Sequence, residues 1–369
     1  MDNCVIPHGY KATALGIIPQ EWEVMLLGNL SNSISSGRNK HRDAHGQYPV
    51  FGSTGIIGYS STYEYEGPVI LVARVGANAG TLNFASGQYD VSDNTLIITI
   101  KQNVYDYNFA YNQLTHYKLN KLVFGSGQPL ITSKQLKNIR IPVPPLAEQR
   151  KIAEVLGVWD KAIEKQARLI EKLALRKRAL MQRLLSAKLR LPGFSEPWKK
   201  VKLGDVAELY QPQTIQSEDL SQTGYPVYGA NGLIGYYNNY NHEYPQVVIT
   251  CRGSSCGTVN FTPGKCWITG NAMVLNVDNN RDVNKSFFYY PISNSSFVNL
   301  ISGSGQPQIV RQPLLKFELR IPPLKEQTAI AEVLTAADRE IDLAKEKLER
   351  LRRQKRGLMQ QLLTGKKRI

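Results

Sequence analysis

The sequence PPLAEQRKIAEVL at residues 144–156 returns 178 residues later as PPLKEQTAIAEVL at residues 322–334. Each copy opens a segment of about 40 residues that is rich in Ala, Glu, Lys, Arg and Leu and almost free of glycine and proline, a composition typical of helices. Prolines cost no hydrogen bond where a helix begins, and Glu148 and Glu326 would lie in the positively polarised first turn. The repeat therefore predicts two long helices that begin in the same way.

Both segments carry an apolar seam at alternating spacings of four and three residues. It runs from Ile152 to Leu184 and from Ile330 to Leu362, with eight of ten and nine of ten positions apolar. A period of 3.5 residues kept over roughly four heptads is typical of a coiled coil. Since each seam needs a partner and the chain has only these two long ones, we expect the helices to pair with each other. Symmetry favours antiparallel pairing, with one globule at each end.

The lysines in the seams predict a register for this pairing. An antiparallel pair centred on one polar seam residue would bring each lysine near a glutamate of the other helix. The expected facing pairs are Gln166 with Ala344, Lys177 with Glu332, and Lys355 with Glu154.

The repeat extends through the rest of the chain. YPVFGSTGIIGYSSTY at residues 48–63 returns at 225–240 as YPVYGANGLIGYYNNY, and GSGQP occurs at 125–129 and 303–307. Short β-branched and aromatic runs between glycine and asparagine turns indicate strands, with some helix around 107–122 and 286–300. The predicted fold class is α/β (α+β): two similar mixed globules separated by two long helices, which form a pseudo-two-fold antiparallel coiled coil. The expected boundaries are 1–145, 146–190, 191–323 and 324–369.

Composition limits the environment and the chemistry. The chain has 369 residues, 42% of them hydrophobic, which is enough for real cores. No run approaches the roughly 18 apolar residues of a membrane span, and a signal sequence is not evident, so we expect a cytoplasmic protein without membrane contact. Four cysteines are too few for a disulfide framework. Cys251, Cys256 and Cys266 have no counterparts in the first half, so neither a metal site nor a cofactor is predicted.

The net charge of +15 is concentrated in the two helical segments. Residues 146–190 have a net charge of +7 and residues 324–369 of +5, whereas the globular segments have only +2 and +1. Nucleic acid is the natural polyanionic partner for such a chain. Charge alone is also consistent with lysine-rich helix faces that are simply solvated.

Several loops carry side chains suited to DNA. SGRNKHR supplies cations for phosphates or guanine edges, and GSGQP supplies backbone amides and a glutamine able to bind adenine. The alternatives are a solvated loop and a tight structural turn or phosphate clamp, respectively. The set also includes two arginines that follow strand runs. In the second globule it includes three polar side chains able to read bases and two cations. The candidates are Arg38, Lys40, His41, Arg42, Arg74, Gly125, Ser126, Gln128, Gln211, Gln213, Asn231, Arg252, Lys265, Ser304, Gln306 and Arg311.

Two diverged globules that alternate with repeated helices, which begin PPLxEQ and end LMQxLL, resemble the specificity subunit of type I restriction-modification systems. The resemblance covers essentially the whole chain. It implies two target-recognition domains, each binding one half of a split, asymmetric site on double-stranded DNA. It also implies that the helices set the spacing and dock two methyltransferase subunits, through which motor-nuclease subunits join.

The sequence favours a subunit without catalytic activity. It contains no NPPY-type adenine methyltransferase motif, no GxxxxGK[ST] phosphate loop and no HExxH. The resemblance assigns S-adenosylmethionine and ATP to the partner subunits. A coiled-coil scaffold or architectural protein without sequence-specific binding is the alternative; its binding to DNA would be weak, salt-sensitive and indifferent to sequence.

Overall fold

The structure is a computed structural model that describes residues 6–40, 42–125, 129–229, 232–303 and 305–369. The chain divides into two compact units. The first unit contains residues Met1–Ala167 and Glu346–Ile369, and the second contains Arg168–Lys345. Among the described residues, none of the helices combines the length and apolar character that crossing a bilayer requires.

The first unit contains a mixed α/β globule. Its strands are β1 (Tyr10–Thr13), β2 (Gly16–Pro19), β3 (Glu23–Leu26), β4 (Ser31–Ser36), β5 (Tyr48–Gly52), β6 (Gly55–Ser60), β7 (Tyr65–Glu66), β8 (Val69–Ala73), β9 (Leu82–Ala85), β10 (Gln88–Val91), β11 (Thr95–Ile100) and β12 (Arg140–Val143). Its short helices are α1 (Leu27–Leu30), α2 (Tyr107–Tyr117) and α3 (Ser133–Lys137), with a 3-10 turn at Leu119–Leu122. Two four-stranded sheets have the orders β6-β5-β10-β7 and β4-β11-β8-β9. The first long helix, α4 (Leu146–Leu185), follows β12.

The second unit repeats this plan. Its strands are β13 (Lys199–Lys202), β14 (Glu208–Tyr210), β15 (Tyr225–Gly229), β16 (Gly232–Tyr237), β17 (Val247–Thr250), β18 (Val259–Phe261), β19 (Trp267–Ile268), β20 (Ala272–Asn276), β21 (Ile301–Ser302), β22 (Gln308–Ile309) and β23 (Glu318–Ile321). Its helices are α5 (Leu203–Val206), α6 (Lys285–Ser293) and α7 (Arg311–Leu315), with 3-10 turns at Ser217–Asp219 and Val298–Leu300. The sheets have the orders β14-β20-β17-β18 and β16-β15-β19. The second long helix, α8 (Leu324–Leu362), follows β23.

The two globules agree in register as well as in order. The hairpin β5–β6 shifts register between Val50 and Phe51, and β15–β16 shifts at the equivalent pair, Val227 and Tyr228. The helices expected near 107–122 and 286–300 are present as α2 and α6 with their 3-10 turns. The predicted mixed α/β class and the internal repeat are confirmed.

Each unit has a main core that unites its globule with the long helices. In the first unit, Trp22 and Phe109 pack in one cluster with Ile152 and Leu156 of α4 and with Leu362 of α8. The second unit has the equivalent cluster, in which Phe287 packs with Leu184, Ile330 and Leu334. The first turns of one long helix and the last turns of the other are therefore part of each globular core, whereas the middle of the seam packs helix on helix.

The long helices run antiparallel in each unit. In the first unit Lys355 of α8 donates to Asp160 of α4 at 2.6 Å. In the second unit Leu173 of α4 packs with Ile341 of α8, and Lys177, one turn later in α4, pairs with Asp338, about one turn earlier in α8. Every predicted seam position in both helices is buried or half-buried. The predicted antiparallel coiled coil is confirmed.

Each seam lysine forms an ion pair with a different carboxylate from the one predicted. Lys177 pairs with Asp338 rather than Glu332, and Lys355 pairs with Asp160 rather than Glu154. The prediction matched residues at equal height along the pair, but helical side chains lean toward the N-terminus of their own helix. Because the helices are antiparallel, that lean brings Lys177 toward later residues of α8, where Asp338 lies.

We expect a double-mutant cycle to detect this pair. Lys177→Ala and Asp338→Ala should show a coupling free energy of about 0.5–1 kcal/mol, since both side chains are only partly exposed. Urea unfolding of the two single variants and the double variant provides the measurement. The control is the cycle that combines Lys177→Ala with Glu332→Ala, and it should show no coupling. A larger coupling to Glu332 than to Asp338 would contradict the observed register.

A buried glutamate fastens the start of each long helix. The carboxylate of Glu148 accepts hydrogen bonds from Trp22 Nε1 at 3.1 Å, from Arg368 Nε at 3.1 Å and from Arg368 Nη2 at 2.9 Å. The equivalent residues of the second unit, with distances of 2.7–3.2 Å, are Glu326, Trp198 and Arg190. Charge-assisted, bidentate bonds of this kind are the strong ones in proteins. In each unit, one carboxylate therefore binds a tryptophan near the start of the globule and an arginine that follows a long helix.

Candidate nucleic-acid interface

Arg74 joins the two candidate loops of the first unit. Its Nη1 donates to Ser36 Oγ at 3.2 Å, where the SGRNKHR loop begins. Its carbonyl accepts from Ile131 N at 2.8 Å, just after GSGQP, and Gly76 N donates to Pro129 O at 2.9 Å. The structure thus brings two loops and an arginine, which are far apart in sequence, to one place.

The SGRNKHR loop is held tightly by its backbone. Arg38 N and Asn39 N both donate to Val91 O, at 3.0 and 2.9 Å. A Cβ on Gly37 would lie 2.4 Å from that same carbonyl oxygen, so only glycine fits there. The Arg38 side chain is 82% exposed, with Glu64 at 3.9 Å. The other candidates of the loop are Lys40 and Arg42, which are exposed, and His41, which lies outside the described residues.

The two GSGQP loops are closed by strand-like pairing at their ends. Gly125 and Gly303 have φ values of 99° and 91°, in the left-handed region that glycine favours. A bridge between Phe124 and Leu130 closes the first loop, and the β21–β22 pair closes the second. Gly125 and Gln306 are exposed, whereas three further candidates lie outside the described residues: Ser126, Gln128 and Ser304.

The second unit has the same framework with different side chains. Gly253 N donates to Pro307 O at 3.0 Å and Ile309 N to Cys251 O at 2.9 Å, which are the counterparts of the bonds from Gly76 and Ile131. Cys251 therefore occupies the position of Arg74, and Arg252 the position of Val75. Because neighbouring residues of an extended chain point to opposite sides, Arg252 is exposed where Arg74 is half-buried.

The other candidates of the second unit are scattered over its loops. Gln211 Nε2 donates to Gly270 O at 3.0 Å, and the carbonyl of Gln213 accepts from Trp267 Nε1 at 3.3 Å. Arg311 opens α7 three residues after Gln308, which forms a bridge with Arg252. Two members remain apart from these: Lys265, whose N–H donates to Glu243 O at 3.0 Å, and Asn231, which lies outside the described residues.

Two stretches of the chain, residues 19–174 and 195–353, match the family described as type I restriction modification DNA specificity domain. Each stretch contains one globule and most of the long helix that follows it. The chain belongs to this family of specificity subunits.

Curated relatives resemble this specificity subunit along their whole length. The type I restriction enzyme MjaVIII specificity subunit of Methanocaldococcus jannaschii is 24% identical over 95% of this chain and 94% of the relative. The putative MjaX specificity subunit of the same organism is 26% identical, over 98% and 97%.

Solved structures share the fold. The S subunit of a type I restriction-modification system from M. genitalium superposes with a TM-score of 0.68 and 19% identity, covering 93% of this chain and 96% of that one. A chain from a type I system studied for complex assembly and conformational transition gives a TM-score of 0.55 and 19% identity, covering 94% and 99%.

Three cysteines lie in the part of the chain that the structure describes, and their thiols are buried or half-buried. Burial raises the pKa of Cys251 to about 11, and burial also raises the pKa values of Cys256 and Cys266. Because a thiol must lose its proton to act as a nucleophile or metal ligand, these groups are poorly suited to either role. The described residues contain no cluster of three or more His, Cys, Asp or Glu able to hold a metal ion.

A buried histidine supports the loop that carries Lys265. His242 Nδ1 lies 2.6 Å from Asn241 Oδ1, and its Nε2 lies 2.9 Å from the hydroxyl of Tyr210. Asn241 Oδ1 also accepts from Ile268 N at 2.9 Å, so Nδ1 carries the proton and Tyr210 donates to Nε2. Burial lowers the pKa of His242; the charge of Asp278 opposes this effect, and the smaller effect of Lys285 adds to it. The imidazole is therefore neutral near pH 7.

We expect acid to weaken the second unit through His242. Because its pKa is lower in the folded than in the unfolded protein, the unfolded state binds more protons as the pH falls below about 6.5. The contribution of His242 to folding stability is fully present above about pH 6.5 and decreases as the pH falls toward the pKa of the folded state. Urea midpoints measured from pH 7.5 to 5.0 should therefore fall more steeply in the parent than in His242→Gln. Equal slopes in the two proteins would show that His242 does not titrate on unfolding.

Sequence patterns gave no functional role to the pair Glu148–Gln149 or to its counterpart Glu326–Gln327. The repeat predicts only that both pairs lie at the start of a long helix. Their partners are distant in sequence, such as Trp22 and the segment before α2. The available signal was their identity in both repeats, although the residues on either side differ.

Proposed function

We propose that this specificity subunit directs a type I restriction-modification complex to a two-part, asymmetric sequence on double-stranded DNA. The globules at residues 1–145 and 191–323 act as target-recognition domains, and each reads one part. The helical segments at 146–190 and 324–369 act as spacers. The subunit itself is non-catalytic and cytoplasmic, and it needs no cofactor of its own.

One observation carries this proposal: the two candidate interfaces share a backbone framework but differ in the side chains it presents. In both units a GSGQP loop is hydrogen-bonded to the turn after a central strand. The first unit presents Arg74 and a basic loop there, whereas the second presents Arg252 and a loop with glutamines. A shared framework fits a shared way of approaching DNA, and different side chains fit different base sequences.

The same interfaces define the proposed contacts. Exposed cations suit phosphates or guanine, and the glutamines and asparagine suit adenine. The first globule would use Arg38, Lys40, His41, Arg42, Arg74, Gly125, Ser126 and Gln128, and the second Gln211, Gln213, Asn231, Arg252, Lys265, Ser304, Gln306 and Arg311.

The paired helices would dock two methyltransferase subunits, through which the motor-nuclease subunits join. Their high positive charge, against nearly neutral globules, supports a division of labour. The globules read sequence, while much of the attraction to the DNA backbone comes from other parts of the complex.

Co-purification with candidate methyltransferase subunits, followed by mapping of methylated adenines across a genome, tests the function. We expect methylation at two short sequence blocks separated by a gap of fixed length. Exchanging residues 36–42 for another sequence should alter one block and leave the other unchanged. Methylation at a contiguous or palindromic motif would contradict the proposal.

A further inference from the structure

A buried glutamine fixes the angle at which the first globule meets its helix. Gln149 is fully buried in the first turn of α4. Its Oε1 accepts from Asp106 N at 2.8 Å, and its Nε2 donates to Val104 O at 2.9 Å and to Pro144 O at 2.8 Å. One side chain thus ties the segment before α2 to the strand end before α4.

The second globule has the same joint. Gln327 is 1% exposed, and its Oε1 accepts from Asn284 N at 2.8 Å. Its Nε2 donates to Asp282 O and to Pro322 O, both at 2.9 Å. Corresponding bonds differ by at most 0.1 Å, although the partner segments, 104–106 and 282–284, have different sequences. Such agreement indicates a shared mechanical requirement of both globules.

Gln149 supplies the directional contact between α4 and the segment before α2. The hydrogen bonds of Glu148 at the same helix start reach Trp22 and Arg368 instead. Apolar contacts, such as those of Ile152, are non-directional, whereas hydrogen bonds fix angles. For a globule of about 125 residues, the far face lies roughly 30 Å from the helix start. A tilt of about 6° moves that face by about 3 Å, close to the 3.4 Å rise of one base pair. A few degrees of freedom at the joint are therefore enough to confuse neighbouring gap lengths.

We infer that Gln149 and Gln327 are positioning residues that determine how strictly the subunit measures the gap between the two parts of its DNA site. This inference rests on the proposed function. It separates two properties: interface side chains select the sequence of each part, and the glutamines make the complex reject sites whose gap is one base pair too long or too short.

The test uses the full complex with its methyltransferase subunits. Methylation rates are measured on a DNA series that keeps both sequence blocks and varies the gap by one and two base pairs. Gln149→Met and Gln327→Met keep the side-chain length but remove the hydrogen bonds. We expect each variant to reduce the preference for the native gap at least threefold, without changing the bases read. Gln149→Asn, which keeps the amide but is too short, should act in the same way if the methionine variant does not fold.

Matched controls separate positioning from loss of stability. Ile97→Val in β11 and Val248→Ala in β17 are buried in sheet clusters separate from the cores that contain the joints, and should lower Tm while leaving the gap preference intact. An unchanged preference in the glutamine variants, or the same relaxation in the controls, would overturn the inference while leaving the proposed function in place. If the parent complex reads no two-part site, the proposed function fails and the inference fails with it.

Discussion

Replacing Arg190 by alanine is expected to lower the free energy of unfolding of the second unit by about 3–5 kcal/mol. Glu326, which receives the guanidinium through two bonds, is 1% exposed. Without Arg190 its carboxylate keeps the hydrogen bond from Trp198 Nε1 but loses its paired charge. This costs free energy, because removing one partner of a buried pair leaves the other uncompensated.

Urea unfolding checks this value against two reference variants. Arg352→Ala removes an equally charged side chain from an exposed pair with Glu349, and should cost only about 0.2–0.5 kcal/mol. Combining Arg190→Met with Glu326→Gln removes both charges and should recover part of the loss. A loss for Arg190→Ala as small as that for Arg352→Ala would mean that the buried carboxylate is not held by this pair.

The long helices were predictable because their signal is periodic and local. A 3.5-residue apolar repeat predicts a coiled coil, and the other long seam of the chain is the natural partner for each helix. The choice of carboxylates was not predictable from heights along the helices, because it depends on the direction in which Lys177 and Lys355 lean. The anchoring roles of Glu148 and Gln149 could not be found either. Their partners lie up to 220 residues away and meet only in the folded core.

At the candidate interface, the sequence shows which loops carry residues suited to DNA, but not the direction in which their side chains point. It drew attention to Arg74 and Arg252 because each follows a strand run, and the structure shows that they differ by one position in the repeat. Such a difference reverses the side of an extended chain to which a residue points. Only the hydrogen-bond register around Gly76 and Gly253 reveals it. Which of the sixteen candidates contact bases stays a prediction.

Arg252→Ala is expected to produce the largest loss of activity among substitutions at the interface. The backbone of Arg252 forms a β-bridge with Gln308, beside the second GSGQP loop. Because the residue is exposed, its guanidinium is available to DNA. One bidentate contact to guanine contributes about 1–3 kcal/mol of discrimination, which corresponds to roughly 5- to 150-fold in methylation rate at the native site. The loss should be confined to one base position of the second sequence block.

Lys200→Ala is the matched control for that experiment. It removes the same charge from strand β13, where Lys200 forms an exposed pair with Glu318 of strand β23. We expect its methylation rate and base preferences to remain those of the parent complex. If Arg252 instead binds a phosphate, its removal should weaken binding about equally for all sequences and reduce the salt dependence of binding by about one charge. Equal rates for Arg252→Ala and Lys200→Ala would remove Arg252 from the interface, since a side chain that contacts DNA in either way must affect one of these measurements.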